Sequence, residues 1–397
     1  MGPRKFSLAC VGLILALVGG VGVFNRIVDP FWYFRDVEIA GINRDKPKAP
    51  GNERLVKPAL MHRLKPEAMI VGSSFAEVGL PPLHPGFTRN GQLTSYNFGM
   101  PAARWSEVYC QAMFALRQLQ LKRLVVGVSG MDSAPCPTDA ELGRADYGKL
   151  LFSRTAFEAS RETLRAQGRP SAMTREGLWY YYRYDEKLQS DDQVAGNFAL
   201  EFARALCPTA LEAPRRMDPA RIDRTPAGPA QAAGLRNLIR RALEHNVELV
   251  LLLYPTHVLF NEIQRRCESP EAHWNSLWQA VSVANEEAGD RSQLIQIWDF
   301  FGYGPLNAER MHAGKPMRDR LWQDFGHFNE EIGTAAFNAI YLGSTGYGTR
   351  VTVGNFDELV ARTEEERRAF LAANSWVAPE LRELVLRTRA MSQALGR

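Results

Sequence analysis

The stretch "MIVGSSFAEVGLPP", residues 69–82, decides the fold. An apolar run enters Gly72-Ser73-Ser74 and the chain then turns polar. A buried strand that stops at small residues and feeds a turn is the opening unit of a parallel α/β sheet. At the C-terminal end of such a strand, small neighbours let the backbone turn sharply and leave a serine hydroxyl unshielded. Ser74 is therefore a candidate nucleophile. Taken alone, a Gly-Ser-Ser turn after a strand is more often structural.

Downstream, the same rhythm recurs. "EAMIVG" (67–72) and "TSYNFG" (94–99) read as strands. "SEVYCQAMFALRQLQL" (106–121) has helical periodicity. "RLVVGVSG" (123–130) reads as a strand buried on both faces. "AQAAGLRNLIRRALEHN" (230–246) reads as a helix feeding the strand "VELVLLLYP" (247–255), and "QLIQIWDF" (293–300) as a further strand. This alternation predicts an α/β protein with a parallel sheet and helices on both faces, a three-layer α/β/α sandwich. The segment 134–229 interrupts it with Pro, Gly, Arg and the aromatic cluster "LWYYYRYDEK" (178–187). It reads as a helical insertion on the active face, with a packing element as the alternative. Residues 356–395 read as two amphipathic helices.

Upstream lies "FSLACVGLILALVGGVGVF" (6–24), nineteen residues without a charge. At 1.5 Å per residue it matches a hydrocarbon core of roughly 30 Å. Arg4 and Lys5 precede it, which places residues 1–5 in the cytoplasm and the rest outside. An uncleaved anchor is the preferred reading. A cleaved signal peptide is the rival, but no clean Ala-x-Ala site follows the run. Residues 25–65, rich in Pro and charge, read as a stalk. The sheet domain is expected over 66–345 and a helical extension over 346–397.

Composition excludes some classes. The chain is 45% apolar and 23% charged, with a net charge of +4, so a globular domain is expected and a nucleic-acid partner is not. The five cysteines contain no Cys-x-x-Cys, and the seven histidines no His-Glu-x-x-His. Neither a catalytic metal nor another cofactor is expected. Outside the anchor, Cys110, Cys136, Cys207 and Cys267 are available for disulfides of open pairing.

"LWQDFGHFNEEIG" (321–333) supplies the partners a nucleophilic serine needs. Asp324 and His327 stand three apart before a helical stretch, so one turn can aim both at one place. Alternatively, Asp324 caps a helix starting near Phe328. His257 and Asp299 follow predicted strands and are candidates for an acceptor site, or for structural hydrogen bonding.

With these residues assembled, the chain resembles the SGNH or GDSL-like hydrolases over roughly residues 66–343. "GSSF" (72–75) looks like the nucleophile block, with Ser73 where many members have Asp. "YNFGMPAAR" (96–104) looks like the second block, "VVGVSGMDS" (125–133) falls at the third, and "DFGH" (324–327) looks like the last. The resemblance implies the SGNH hydrolase fold, which is flavodoxin-like, and a Ser74–His327–Asp324 triad. It also implies an oxyanion hole made by the amides of Ser74 and Ala102. Two departures stand out. Ala102 replaces the second-block Gly, retaining the N–H. Met131 stands where the third block has a donating Asn, leaving Asn97 or another group to compensate.

More narrowly, "VDPFWYF" (28–34), "YPTH" (254–257) and "WDFFGYG" (298–304) are similar to segments of membrane-anchored SGNH-like proteins of bacterial envelope and exopolysaccharide gene sets. Relatives act in alginate acetylation and in D-alanine transfer to teichoic acid. The implied activity is extracytoplasmic serine-dependent O-acyl transfer or hydrolysis on a polysaccharide. The implied acyl group is first of all acetyl, and a polytopic membrane acyltransferase is an implied partner. Two rivals remain. One is an α/β-hydrolase, since "GSSFA" nearly fits Gly-x-Ser-x-Gly, although that fold places its serine after several strands. The other is a tethered binding or scaffold protein that has lost turnover. A dinucleotide site is not expected, because no Gly-x-Gly-x-x-Gly follows the first strand.

Overall fold

Six strands form one sheet: β1 (Ala68–Val71), β2 (Ser95–Asn97), β3 (Arg123–Gly127), β4 (Glu248–Leu253), β5 (Ile295–Asp299) and β6 (Thr349–Val351). Their spatial order is β2-β1-β3-β4-β5-β6. The first five run parallel, and β6 pairs antiparallel with β5. The computed structural model describes residues 2–46, 52–169, 171–179, 190–202 and 207–394. Each of the five strands read from sequence is present, trimmed by up to three residues at an end.

The centre of the sheet is closed on both faces. Every residue of β1 is buried, as are Leu124–Gly127 of β3 and Leu249–Leu252 of β4. This is what continuous Val/Leu/Ile runs require, and each such side chain stabilises the fold by about 1.5–3 kcal/mol. In β5 the burial alternates, because only the short β6 lies beyond it. Helices Trp105–Gln118, Ala233–Glu244 and Ala272–Ala288 pack side by side, and helix Glu330–Leu342 packs on Ser74–Gly79 and Pro85–Thr88. Right-handed crossovers explain the two groups. The β1–β2 connection runs one way along the sheet and the later parallel connections run the other, so their helices lie on opposite faces; helix Glu330–Leu342, which leads into the antiparallel β6, returns to the side of the β1–β2 helices.

The chain divides into two units, 66–137 with 182–397, and 1–65 with 138–181. The sheet belongs to the first. Its insertion helix Asp191–Phe202 packs on the C-terminal helix Val377–Ala394. Disulfides join Cys110 to Cys136 and Cys207 to Cys267, and Cys10 is the free thiol among the described residues. The two predicted C-terminal helices are Phe356–Ala373 and Val377–Ala394. Helix Phe356–Ala373 docks through Arg367 on the buried Glu262 and Glu364 on the buried Arg265.

The second unit groups residues 1–65, which include the apolar helix and the segment 25–65, with 138–181 from the segment 134–229. Helix Pro3–Val28 is long and apolar enough to cross a membrane. It ends at Asp29, whose backbone is left-handed (φ 45°). The Asp29 carboxylate accepts the amides of Tyr33, Phe34 and Arg35 at 2.8–2.9 Å. Buried Lys46 donates to the carbonyls of Val28 and Asp29 at 2.6 and 2.8 Å, satisfying the helix end. Burial lowers that ammonium to about 8. Helices Tyr147–Phe152 and Arg154–Arg165, from inside the presumed insertion, pack on the same apolar helix. The aromatic cluster at 178–187 falls largely outside the described residues.

Candidate active site

The sheet places its switch point between β1 and β3, the position where open α/β sheets hold ligands beyond the strands' C-terminal ends. Ser74 stands there as the first residue of helix Ser74–Gly79, with Ser73 as its cap; the Ser73 hydroxyl accepts the Phe75 amide at 3.4 Å. A side chain at Gly72 would meet the Tyr254 hydroxyl at 2.1 Å, and one at Gly127 would meet it at 1.7 Å. These two glycines, at the ends of adjacent strands, make the notch that Tyr254 fills. From that notch the Tyr254 oxygen accepts the Ser73 amide at 3.2 Å. Burial pushes the phenol up to about 12, so it stays protonated at any working pH. Sequence reasoning missed Tyr254. The signal available was the pair of strand-terminal glycines.

His327 reaches the same point from a tight hairpin. Trp322 and Phe328 form an antiparallel bridge, and the Gln323 amide donates to the His327 carbonyl at 2.9 Å. Asp324 accepts the amides of Gly326 and His327 through Oδ1, each at 2.9 Å. Its Oδ2 lies 2.6 Å from His327 Nδ1. His327 Nε2 lies 2.7 Å from Ser74 Oγ. The helix-cap alternative for Asp324 falls away, because Asn329 caps helix Glu330–Leu342 by accepting the amides of Glu331 and Ile332. The three residues proposed for the triad are thus brought together.

Electrostatics sets the tautomer. Burial alone would raise the Asp324 carboxyl; the His327 charge and hydrogen bond, with the two amides, outweigh it and hold the carboxyl low. Burial likewise disfavours a charged His327, but Asp324 outweighs it and lifts the imidazole above its ordinary value. An ionised Asp324 accepts the hydrogen bond of Nδ1–H, which leaves Nε2 to accept from the Ser74 hydroxyl. The Phe75 ring sits edge-on against His327 at 4.9 Å and forbids a side chain at Gly326, whose Cβ would lie 2.4 Å from it. Asn197 of the insertion helix braces the hairpin by donating to the Gln323 carbonyl at 3.0 Å.

The remaining candidates separate. Ala102 adopts the left-handed region (φ 51°), in a loop tied to the serine turn by the Met100 amide on the Gly72 carbonyl at 3.0 Å. Among the described residues, neither the Ser74 nor the Ala102 amide has a hydrogen-bond partner. Asn97 is committed elsewhere and corrects the expectation of a donor to the site. It is fully buried and donates to the Ala76 and Leu80 carbonyls at 2.7 and 2.9 Å, while accepting the Gly99 amide. His257 is buried with both ring nitrogens used, Nε2 on the Glu309 carbonyl at 2.6 Å and Nδ1 accepting the Leu259 amide. That corrects its placement at an acceptor site; it is a brace whose own amide holds the Phe325 carbonyl. Asp299 is buried at the end of β5 and pairs with His273 Nε2 at 2.9 Å. His273, not singled out from sequence, lines a cavity of about 480 Å³ together with Phe75, Met131, Tyr254 and Phe301.

Chemically, a serine hydroxyl hydrogen-bonded to an imidazole that a buried carboxylate orients is an arrangement that can deprotonate the hydroxyl. Comparison with known proteins finds no matching family model, no matching curated protein and no matching solved structure.

Proposed function

We propose that the chain is a serine-dependent O-acyl esterase or acyltransferase of the SGNH type, acting outside the cytoplasm on an envelope or exported polysaccharide. One observation carries the reading: Ser74 Oγ, His327 and buried Asp324 in line at 2.7 and 2.6 Å. The strand order β2-β1-β3-β4-β5, which is the flavodoxin-like order, supports the resemblance.

In the first step His327 Nε2 takes the Ser74 proton as Oγ attacks the ester carbonyl. The tetrahedral oxyanion is held by the Ser74 and Ala102 amides. Asp324 stabilises the imidazolium. Collapse breaks the ester bond, and His327 returns its proton to the departing alcohol. In the second step water or a sugar hydroxyl attacks the acyl-serine as His327 takes its proton; the acyl–Oγ bond breaks, and His327 returns the proton to Ser74. The N-terminal apolar helix would hold this domain at the inner membrane, with Arg4 and Lys5 on the cytoplasmic side. Two disulfides suit an oxidising compartment. A polytopic membrane acyltransferase would supply the acyl group if transfer is the reaction.

The second reading is a tethered scaffold without turnover. It is favoured by Met131 in the place of a donating Asn and by the commitment of Asn97 to two carbonyls. Losing one oxyanion donor costs about a hundred- to a thousand-fold in rate. Acetate release from an O-acetylated sugar, abolished by His327→Ala, supports the enzyme. Equal release by parent and variant contradicts it.

A further inference from the structure

The outer end of the apolar helix is flanked by exposed apolar side chains from two separate segments, 37–42 and 147–152. The Phe152 ring packs over Gly22, where a Cβ would lie 2.4 Å from it. Gly22 is inside the uncharged run 6–24, two residues or about 3 Å short of its end at 1.5 Å per residue. Asn25 donates to the Leu151 carbonyl at 2.7 Å, and Phe24 meets Phe157 edge-on at 5.7 Å. On another side Asn43 ties the 37–42 loop down by donating to the Ile27 and Val37 carbonyls. Around this junction Val37, Ile39, Ile42, Tyr147 and Phe152 are 37–54% exposed.

From this geometry we infer that residues 37–42 and 147–152 form a collar that seats in the headgroup and upper acyl zone of the bilayer around the membrane-spanning helix. The collar rests on the reading of that helix as a membrane span. Continuity names the occupant: a ring touching Gly22 lies at the depth of the apolar run. Charge argues the same way. The charges nearby are paired within the unit, Arg26 with Asp36, Lys149 with Asp146 at 3.4 Å, and Arg154 with Glu158 at 2.7 Å. An anionic macromolecule is poorly matched, whereas a zwitterionic lipid surface needs only apolar side chains and an interfacial tyrosine. Seating the collar would fix the tilt and height of the unit at the surface and remove the freedom of a simple tether.

The native free thiol makes the test direct. Full-length protein is placed in phosphatidylcholine–phosphatidylethanolamine nanodiscs doped with a lipid carrying a doxyl quencher high on its acyl chain. An environment-sensitive fluorophore is attached at Cys10, or, in a Cys10→Ser background, at Phe152→Cys, Ile39→Cys or the exposed reference Asp290→Cys. The expected result is strong quenching at Cys10 and a loss of about twofold or more at both collar positions, as befits side chains roughly 5–10 Å into the interface. The reference should be unaffected. If Cys10 is quenched while both collar labels behave like the reference, the collar is wrong and the span stands. If Cys10 is not quenched, the span fails and the collar with it. Two collar sites guard against misfolding of one variant.

Discussion

The hydroxyl of Tyr254 accepts the Ser73 amide at 3.2 Å, one residue before Ser74, from a notch that Gly72 and Gly127 leave open. Tyr254→Phe keeps the ring in the notch and strands a half-buried N–H. Leaving such a donor unsatisfied costs about 1–3 kcal/mol, so kcat should fall roughly 5- to 100-fold as the turn loosens. KM should hold, since Tyr254 positions Ser74 without making the acyl contact itself. Steady-state kinetics on an acetyl ester separates the two. A change confined to KM, or to thermal stability alone, would remove Tyr254 from the positioning role.

The pH profile follows from the Asp324–His327 pair. Only neutral His327 can take the Ser74 proton, and Asp324 raises the imidazole above its ordinary value of about 6.5. Activity should therefore rise with pH on a limb whose midpoint lies above that value. In Asp324→Asn the charge is gone and burial is unopposed. The midpoint should move downward and the rate fall by about three to four orders of magnitude. A profile with the same midpoint in both proteins would contradict this electrostatic account.

Met131 carries the prediction that divides enzyme from scaffold. It lies on the wall of the cavity that Phe75, the neighbour of Ser74, also lines. Met131→Asn places an amide donor there. If the oxyanion site is otherwise competent, turnover should increase about tenfold or more, within the hundred- to thousand-fold range of one such donor. The comparison is kcat of the variant against the parent on the same ester. No gain would count against the enzyme and favour the tethered scaffold.

His257 predicts acid sensitivity of the fold rather than of the reaction. Burial depresses its imidazole to about 4, against about 6.5 unfolded. The unfolded chain therefore binds the extra proton first. The penalty is absent above about pH 6.5 and grows as pH falls toward 4, reaching about 2–3 kcal/mol near pH 4.5. His257→Asn keeps an oxygen to cap helix Val258–Cys267 and removes the titration. Denaturant unfolding at pH 7 and pH 4.5 should show the parent losing this much more than the variant.

The sheet was legible because its strands are short apolar runs with helical periodicity between them, and the fully buried β1 with the buried centres of β3 and β4 leaves little choice of register. The Asp324–His327 spacing was legible because a hairpin of that length can close on itself. Other features depend on partners far away in the chain. Tyr254 matters only because Gly72 and Gly127 meet it. Asn97 looked like a free donor beside the second block, yet helix Ser74–Gly79 presents two carbonyls that consume it. β6 has three residues and owes its pairing to β5. Lys46, which composition marks as solvated, is buried against the end of the apolar helix.

The central claim is that Ser74 is an activated nucleophile. Labelling with a serine-reactive fluorophosphonate tests it most directly, comparing parent with Ser74→Ala at pH 8, where His327 is more largely neutral than at pH 7. The account predicts that the parent labels and that the variant loses the label while remaining folded. Equal labelling of the two proteins would contradict it.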